Sequence, residues 1–94
     1  MGPEAKTQTT VVAWARGLRA IAFKQAGGYG GVPDYLFLFD GRCALIEFKS
    51  SLGRPTPLQR NFLAKLAEQN IPARICRTVD EAKTFLLEHL FKEI

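Results

Sequence analysis

Soft metal ligands are scarce in this chain, whose 94 residues include two cysteines and one histidine. Cys43 and Cys76 stand far apart, each inside an apolar run, with no CxxC and no neighbouring histidine. A four-ligand zinc site is therefore excluded, and both thiols read as small core side chains in a reducing compartment. The sequence also lacks an 18-residue apolar span and a basic-then-apolar leader, so neither membrane insertion nor secretion is expected and the protein is placed in the cytoplasm. Residues 26–31, AGGYGG, have neither a GxxxxGK[ST] pattern nor a strand-GxGxxG-helix setting, which excludes a nucleotide-phosphate cradle. No internal repeat or low-complexity tract is visible. Acids are outnumbered: nine Asp and Glu against 13 Lys and Arg leave a net charge of +4, a mild bias toward anionic partners such as nucleic acid.

What is present is ordinary globular composition, 47% hydrophobic and 23% charged, on a length that supports one core. Residues 1–94 are read as a single domain. Val11, Trp14, Ala15, Leu18, Ile21 and Ala22 follow the spacing of one buried helical stripe, which predicts a helix over residues 4–22 with Arg16 and Arg19 on its solvated side. A short strand follows around Phe23, then the glycine loop. Residues 34–39 and 42–48 are rich in β-formers and flank Asp40-Gly41, a dipeptide suited to a type I′ turn, so they form an antiparallel hairpin. Thr56 as N-cap and Pro57 at the first helical position start a second long helix, buried through Leu58, Phe62, Leu63, Leu66 and Ala67 and ending near Asn70. Residues 73–76 read as a strand. Thr78 with Glu81 makes a capping box that opens a last helix reaching about Lys92. The order α-β-β-β-α-β-α predicts an α/β fold with a mixed sheet flanked by helices.

The hairpin register assembles charge. A two-residue turn at 40 and 41 pairs Phe39 with Arg42 and, continuing outward, Asp34 with Glu47, whose Cβ atoms would lie roughly 4.5 to 5.5 Å apart. Strand alternation puts Glu47 and Lys49 on one face with Leu36, Leu38, Cys43 and Leu45, and Phe37, Phe39, Ala44, Ile46 and Phe48 on the other. Both faces are apolar, so helices are expected on both. Two close carboxylates repel, and a cationic partner is required. Two readings stay open on spacing: an ion-pair cluster neutralised by Lys49, or a site for a hard divalent cation.

Gly31-Val32-Pro33-Asp34, then Ile46-Glu47-Phe48-Lys49, then Pro57-Leu58-Gln59 with Phe62-Leu63 resemble the virus-type replication-repair nuclease (VRR-NUC) family of the PD-(D/E)xK superfamily, over most of the chain. The resemblance implies a restriction-endonuclease-like core and a metal-dependent nuclease. It implies Asp34 and Glu47 as ligands of Mg²⁺ or Mn²⁺, with the backbone carbonyl of Phe48 as a further ligand, Lys49 beside the attacked phosphate, and Gln59 hydrogen-bonding within the site. Related enzymes often take another acidic ligand from the first helix, and Glu4 is the only acid before Asp34. Without the family match, Gln59 reads as an exposed polar residue of a first helical turn.

DNA, branched in the manner of a Holliday junction and met in phage or prophage replication and repair, is the partner this resemblance implies. Lys24, Arg42, Arg54, Arg60, Arg74 and Arg77 are the basic residues that could neutralise its backbone, with Lys24 and Arg54 first because they flank the acids. His89 reads as a surface residue. In the last helix Leu87, Phe91 and Ile94 make a second apolar row, which suggests a two-fold homodimer, with extra core packing as the alternative. The rival readings are a nuclease of flap or nicked ends and a catalytically silent DNA-binding module.

Overall fold

A computed structural model describes residues 2–25 and 30–92. Seven elements follow one another: α1 (Pro3–Gly17), β1 (Ile21–Lys24), β2 (Tyr35–Phe39), β3 (Arg42–Phe48), α2 (Pro57–Glu68), β4 (Ala73–Cys76) and α3 (Val79–His89). The four strands form one sheet in the order β1-β2-β3-β4, antiparallel except for the parallel β3–β4 pair. The expected α-β-β-β-α-β-α order and mixed sheet are both observed. Among the described residues, no helix is long and apolar enough to cross a membrane.

The hairpin is set by its turn. Asp40 and Gly41 take φ values of 50° and 76°, which the type I′ turn requires at both central positions, and Phe39 pairs with Arg42 while Tyr35 pairs with Ile46. Strand β2 begins at Tyr35, so Asp34 sits one step beyond the ladder and not within it.

Helices α1 and α3 cover one face of the sheet. Val11, Val12 and Ala15 of α1 and Ala82, Phe85 and Leu86 of α3 join Phe37, Ala44, Ile46 and Phe48 in one buried cluster. Helix α2 lies against β4, but none of its residues is buried and Leu58 is 60% exposed. The second sheet face is therefore only partly covered, against the expectation of helices on both sides, because α2 does not extend over β1 and β2, and Ile21 and Phe23 stay exposed there.

Helix ends account for the other departures. Helix α1 stops at Gly17, and Ile21 and Ala22 belong to β1 instead of the helix. The stop is a Schellman motif: Arg19 takes φ 75°, its N–H donates to the Arg16 carbonyl at 2.9 Å, and the Ala20 N–H donates to the Ala15 carbonyl at 3.1 Å. Asn70, with φ 59°, closes α2 the same way through Asn70 to Ala67 and Ile71 to Leu66. At α3, Thr78 accepts from the Glu81 N–H as expected, but the Glu81 carboxylate reaches past Thr78 to the Arg77 N–H at 2.7 Å, so the box is half formed. Helix α3 ends at His89, short of Lys92. Phe91 then turns into the core, 2% exposed, with its ring edge against Trp14 and Phe39. That breaks the apolar row drawn through Leu87 and Phe91; Ile94 lies outside the described residues, as do residues 26–29 of the glycine loop.

Candidate active site

Parallel pairing with β4 carries β3 to Phe48, while β2 stops pairing at Tyr35. The last turn of β3 thus projects past the hairpin partner, and Asp34 fills the gap: its Oδ2 accepts the Phe48 N–H at 3.0 Å. The Phe48 carbonyl lies beyond the last β2 pair on that same side, since successive residues of a strand alternate the direction of their backbone groups.

Glu47 points to the face away from the core and is still only 5% exposed. Its Oε2 receives Lys49 Nζ at 3.5 Å and Gln59 Nε2 at 3.3 Å. Its Oε1 is buried with no hydrogen-bond partner among the described residues. Burial, followed by repulsion from Asp34, pushes the Glu47 carboxyl above its ordinary value of 4.5, although Lys49 and, more weakly, the Asp34 backbone N–H pull the other way. An unsatisfied buried carboxylate oxygen beside a second carboxylate is costly unless a cation completes it.

Gln59 holds two jobs at once. Its backbone N–H donates to Thr56 Oγ1 at 3.1 Å, and its side-chain Oε1 accepts the Thr56 N–H at 2.9 Å, a full capping box at the start of α2. With Oε1 occupied there, Nε2 is turned to Glu47. The signature was readable as Thr56-x-x-Gln59, and it supplies what neither a surface-residue reading nor a bare site assignment contained: the helix cap orients the site amide.

Close approach of α2 depends on Gly31. It sits at φ +89°, and a Cβ built there would lie 2.3 Å from the Leu58 carbonyl oxygen. The segment leading to Asp34 therefore runs against the first turn of α2, with only glycine admissible. On the other side of the site, Gly53 packs on the stem of Lys49, where a Cβ would stand 3.4 Å from Cδ.

Asp34, Glu47, the end of β3, Lys49 and Gln59 are thus brought together. Glu4 is not. It is exposed in the first turn of α1, which packs on the opposite, core face of the sheet, and among the described residues no three His, Cys, Asp or Glu side chains gather as a metal site. Arg42 also stands apart, about 20 Å away at the far end of β3 by strand rise, where it donates to the Leu90 carbonyl at 3.3 Å and lies 3.6 Å from Asp40. Arg74 faces Glu81 at 3.7 Å. Lys24 is exposed at the end of β1, paired with Tyr35 next to Asp34, and Arg54 and Arg60 are exposed beyond Lys49. His89 is paired with Glu88 on the surface. The Cys76 thiol, fully buried, is pushed up to about 12, which removes it as a nucleophile. A role that residue type alone did not reveal belongs to Arg77, whose Nη1 donates to the carbonyls of both Ser50 and Gly53 at 2.6 Å and ties the segment after Lys49 to the end of β4.

The family model for the VRR-NUC domain matches residues 4–80. A solved VRR-NUC domain superposes with a TM-score of 0.82 at 19% identity, covering 96% of this chain and 99% of its own. A second solved VRR-NUC domain protein gives a TM-score of 0.76 at 18% identity, covering 97% and 90% respectively. At such identities the likeness is one of fold. No curated protein matches the chain.

Proposed function

The chain belongs to the VRR-NUC domain family and is a nuclease-type domain, and from that footing we propose that it is a metal-dependent endonuclease hydrolysing phosphodiester bonds in branched DNA. The observation that carries this reading is Glu47 Oε1, buried beside Asp34 and without a hydrogen-bond partner among the described residues. A hard cation with oxygen ligands suits that donor set, and a Cys- or His-seeking metal does not. Asp34, Glu47 and the Phe48 carbonyl would hold Mg²⁺ or Mn²⁺, without Glu4. Such an ion supplies Lewis-acid polarisation of a phosphoryl oxygen and activation of water.

The protein's own groups do the rest. Lys49, 18% exposed and held by Glu47, places a positive charge where negative charge grows on the attacked phosphate. Gln59 fixes the rotamer of Glu47, and Asp34 locks the end of β3. Lys24, Arg54 and Arg60 would neutralise backbone phosphates to either side, without reading bases. With the apolar row broken at Phe91, a homodimer is supported by the substrate: two strands of a junction are cut by two equivalent sites. Sedimentation of the protein with and without a four-way junction tests that.

The functional test is a cleavage panel of four-way junctions, flaps, nicked duplex and single strands, with Mg²⁺ or Mn²⁺ and a chelator control. Metal-dependent nicking of the junctions is expected. Preferential cutting of flaps moves the substrate to strand ends. Binding of every substrate with no cleavage under either metal overturns the enzyme and leaves a silent DNA-binding module, the alternative favoured by a site of two acids instead of three.

A further inference from the structure

The chain between the site and α2 is built as a brace with a second face. Ser50 and Gly53 close a turn, the Gly53 N–H donating to both the Ser50 carbonyl and its Oγ at 3.1 Å. Arg77 uses its Nη1 to hold the turn's two carbonyls, so Nη2 and Nε take no hydrogen bond among the described residues. Against the turn lies a polar cavity of about 420 Å³, lined by Arg54, Arg60 and Arg77 with Ser51, Leu52, Gly53 and Pro55.

No counter-charge is near in sequence. From residue 48 to 67 the chain contains Lys49, Arg54, Arg60 and Lys65 and not one Asp or Glu. Arg54 and Arg60 form no ion pair among the described residues, so three guanidinium groups surround one concavity without an acid. Three like charges converging on a hollow repel one another unless an anion joins them, and the guanidinium fork matches the oxygens of a phosphate. The cavity accommodates a phosphate with its sugar. Leu52, 90% exposed at the rim, offers an apolar contact that a free inorganic anion would not use but a sugar or base would.

We propose that Arg54, Arg60 and Arg77 form a phosphate-anchoring pocket that grips the backbone of the strand being cut, close to the scissile phosphate. The proposal rests on the nuclease reading for the identity of the anion as DNA. Gly53 carries the connection: it lines the pocket and also packs on the stem of Lys49, so the anchored phosphate and the reacting one are neighbours across this turn. Arg77 braces that turn from within, while Arg54 and Arg60 supply the outward charge.

The test measures binding without cleavage. A labelled four-way junction is titrated in EDTA with wild type and with the Arg54→Gln/Arg60→Gln double variant over a range of salt. Both positions are exposed, and a thermal melt verifies the fold of the variant. Affinity is expected to fall about tenfold and the salt slope to shrink by about two phosphate contacts. Junctions carrying one neutral methylphosphonate at a time near the cut point are then compared. One position should weaken wild type and leave the double variant indifferent. Equal affinity and slope in the two proteins, or equal methylphosphonate sensitivity, overturns the pocket while leaving the nuclease intact. Inorganic phosphate that raises the melting temperature of wild type alone, with DNA affinity unchanged, also overturns it in favour of a free-anion site. A wild type that binds no DNA sinks both the pocket and the function it rests on.

Discussion

Replacing Glu47 with Gln separates the cost of the site from its use. Glu47 is 5% exposed, its Oε1 has no partner among the described residues, and Asp34 repels it. Leaving a buried acceptor unsatisfied costs about 1–3 kcal/mol. The amide has the same shape, keeps an oxygen for the Gln59 Nε2 and removes the charge. It forfeits the contact with Lys49 at 3.5 Å, largely buried on the Glu47 side; the long contact and the 18% of the Lys49 side chain still in water limit that loss to about 1 kcal/mol. The balance is a gain of about 1 kcal/mol for the metal-free protein, or about 4–8 °C in melting temperature for a domain of this size. Cleavage should vanish in the same variant.

The pH dependence gives the prediction its second arm. The carboxyl of Glu47 is raised above 4.5 in the fold, by burial first and Asp34 second, so the folded chain holds this proton more tightly than the unfolded one. The associated stability is complete below pH 4.5 and is lost as pH climbs through the raised folded value. In EDTA, the melting temperatures of wild type and Glu47→Gln should therefore converge in acid and separate toward neutrality, with the variant higher. Adding Mg²⁺ or Mn²⁺ at neutral pH should lift wild type and leave the variant unmoved. Circular dichroism melts in chelator and in metal supply every number required. A variant that melts below wild type at neutral pH, or a gap indifferent to pH, refutes the view that Glu47 is a strained carboxylate awaiting a cation.

Three further substitutions probe the surroundings. Lys49→Ala should reduce junction cleavage by at least about a hundredfold with affinity in EDTA little changed; retained cutting would take the amine out of the mechanism. Gly31→Ala meets both φ +89° and the Leu58 carbonyl at 2.3 Å, and should cost at least about 2 kcal/mol in urea unfolding; a neutral result would mean that the segment before Asp34 moves freely off α2. Arg42→Ala loses the hydrogen bond to the Leu90 carbonyl and should cost about 1 kcal/mol of stability with no loss of DNA affinity; weaker DNA binding would return Arg42 to the substrate surface.

The parts of the site legible in the sequence are those where one residue type has one physical use. Asp40-Gly41 is such a case: two successive positive φ values admit few residues, so the dipeptide specified the turn, the turn specified the register, and the register brought position 34 to the end of β3. Thr56-Pro57 is another, because a capping hydroxyl followed by a residue lacking an N–H suits only a helix start. Where many residues can play one part the signal faded. The αL residue that ends α1 is Arg19 and not glycine, so nothing interrupted the apolar spacing that ran on to Ala22. Phe91 kept a helical spacing with Leu87, and only the packing of Trp14 and Phe39 around its ring shows it to be core. Glu81 is three residues past Thr78, yet its carboxylate satisfies Arg77 instead, a choice of one backbone donor over its neighbour that spacing does not encode.

The same holds for the arginines. Arg42, Arg54, Arg60, Arg74 and Arg77 are alike in composition, and a sequence ranks them only by distance from Asp34 and Glu47. In the fold, Arg42 goes to a helix-end carbonyl, Arg74 to Glu81, Arg77 to two loop carbonyls, while Arg54 and Arg60 find no acid among the described residues. Each partnered guanidinium belongs to a place where the chain leaves backbone or carboxylate oxygens exposed. The unpartnered pair lies in a stretch of sequence without an acid, residues 48–67. A folded chain satisfies its cations locally wherever it can, so the charges left over beside Lys49 are available to an external anion, and DNA backbone contact is expected there as well as at Lys24.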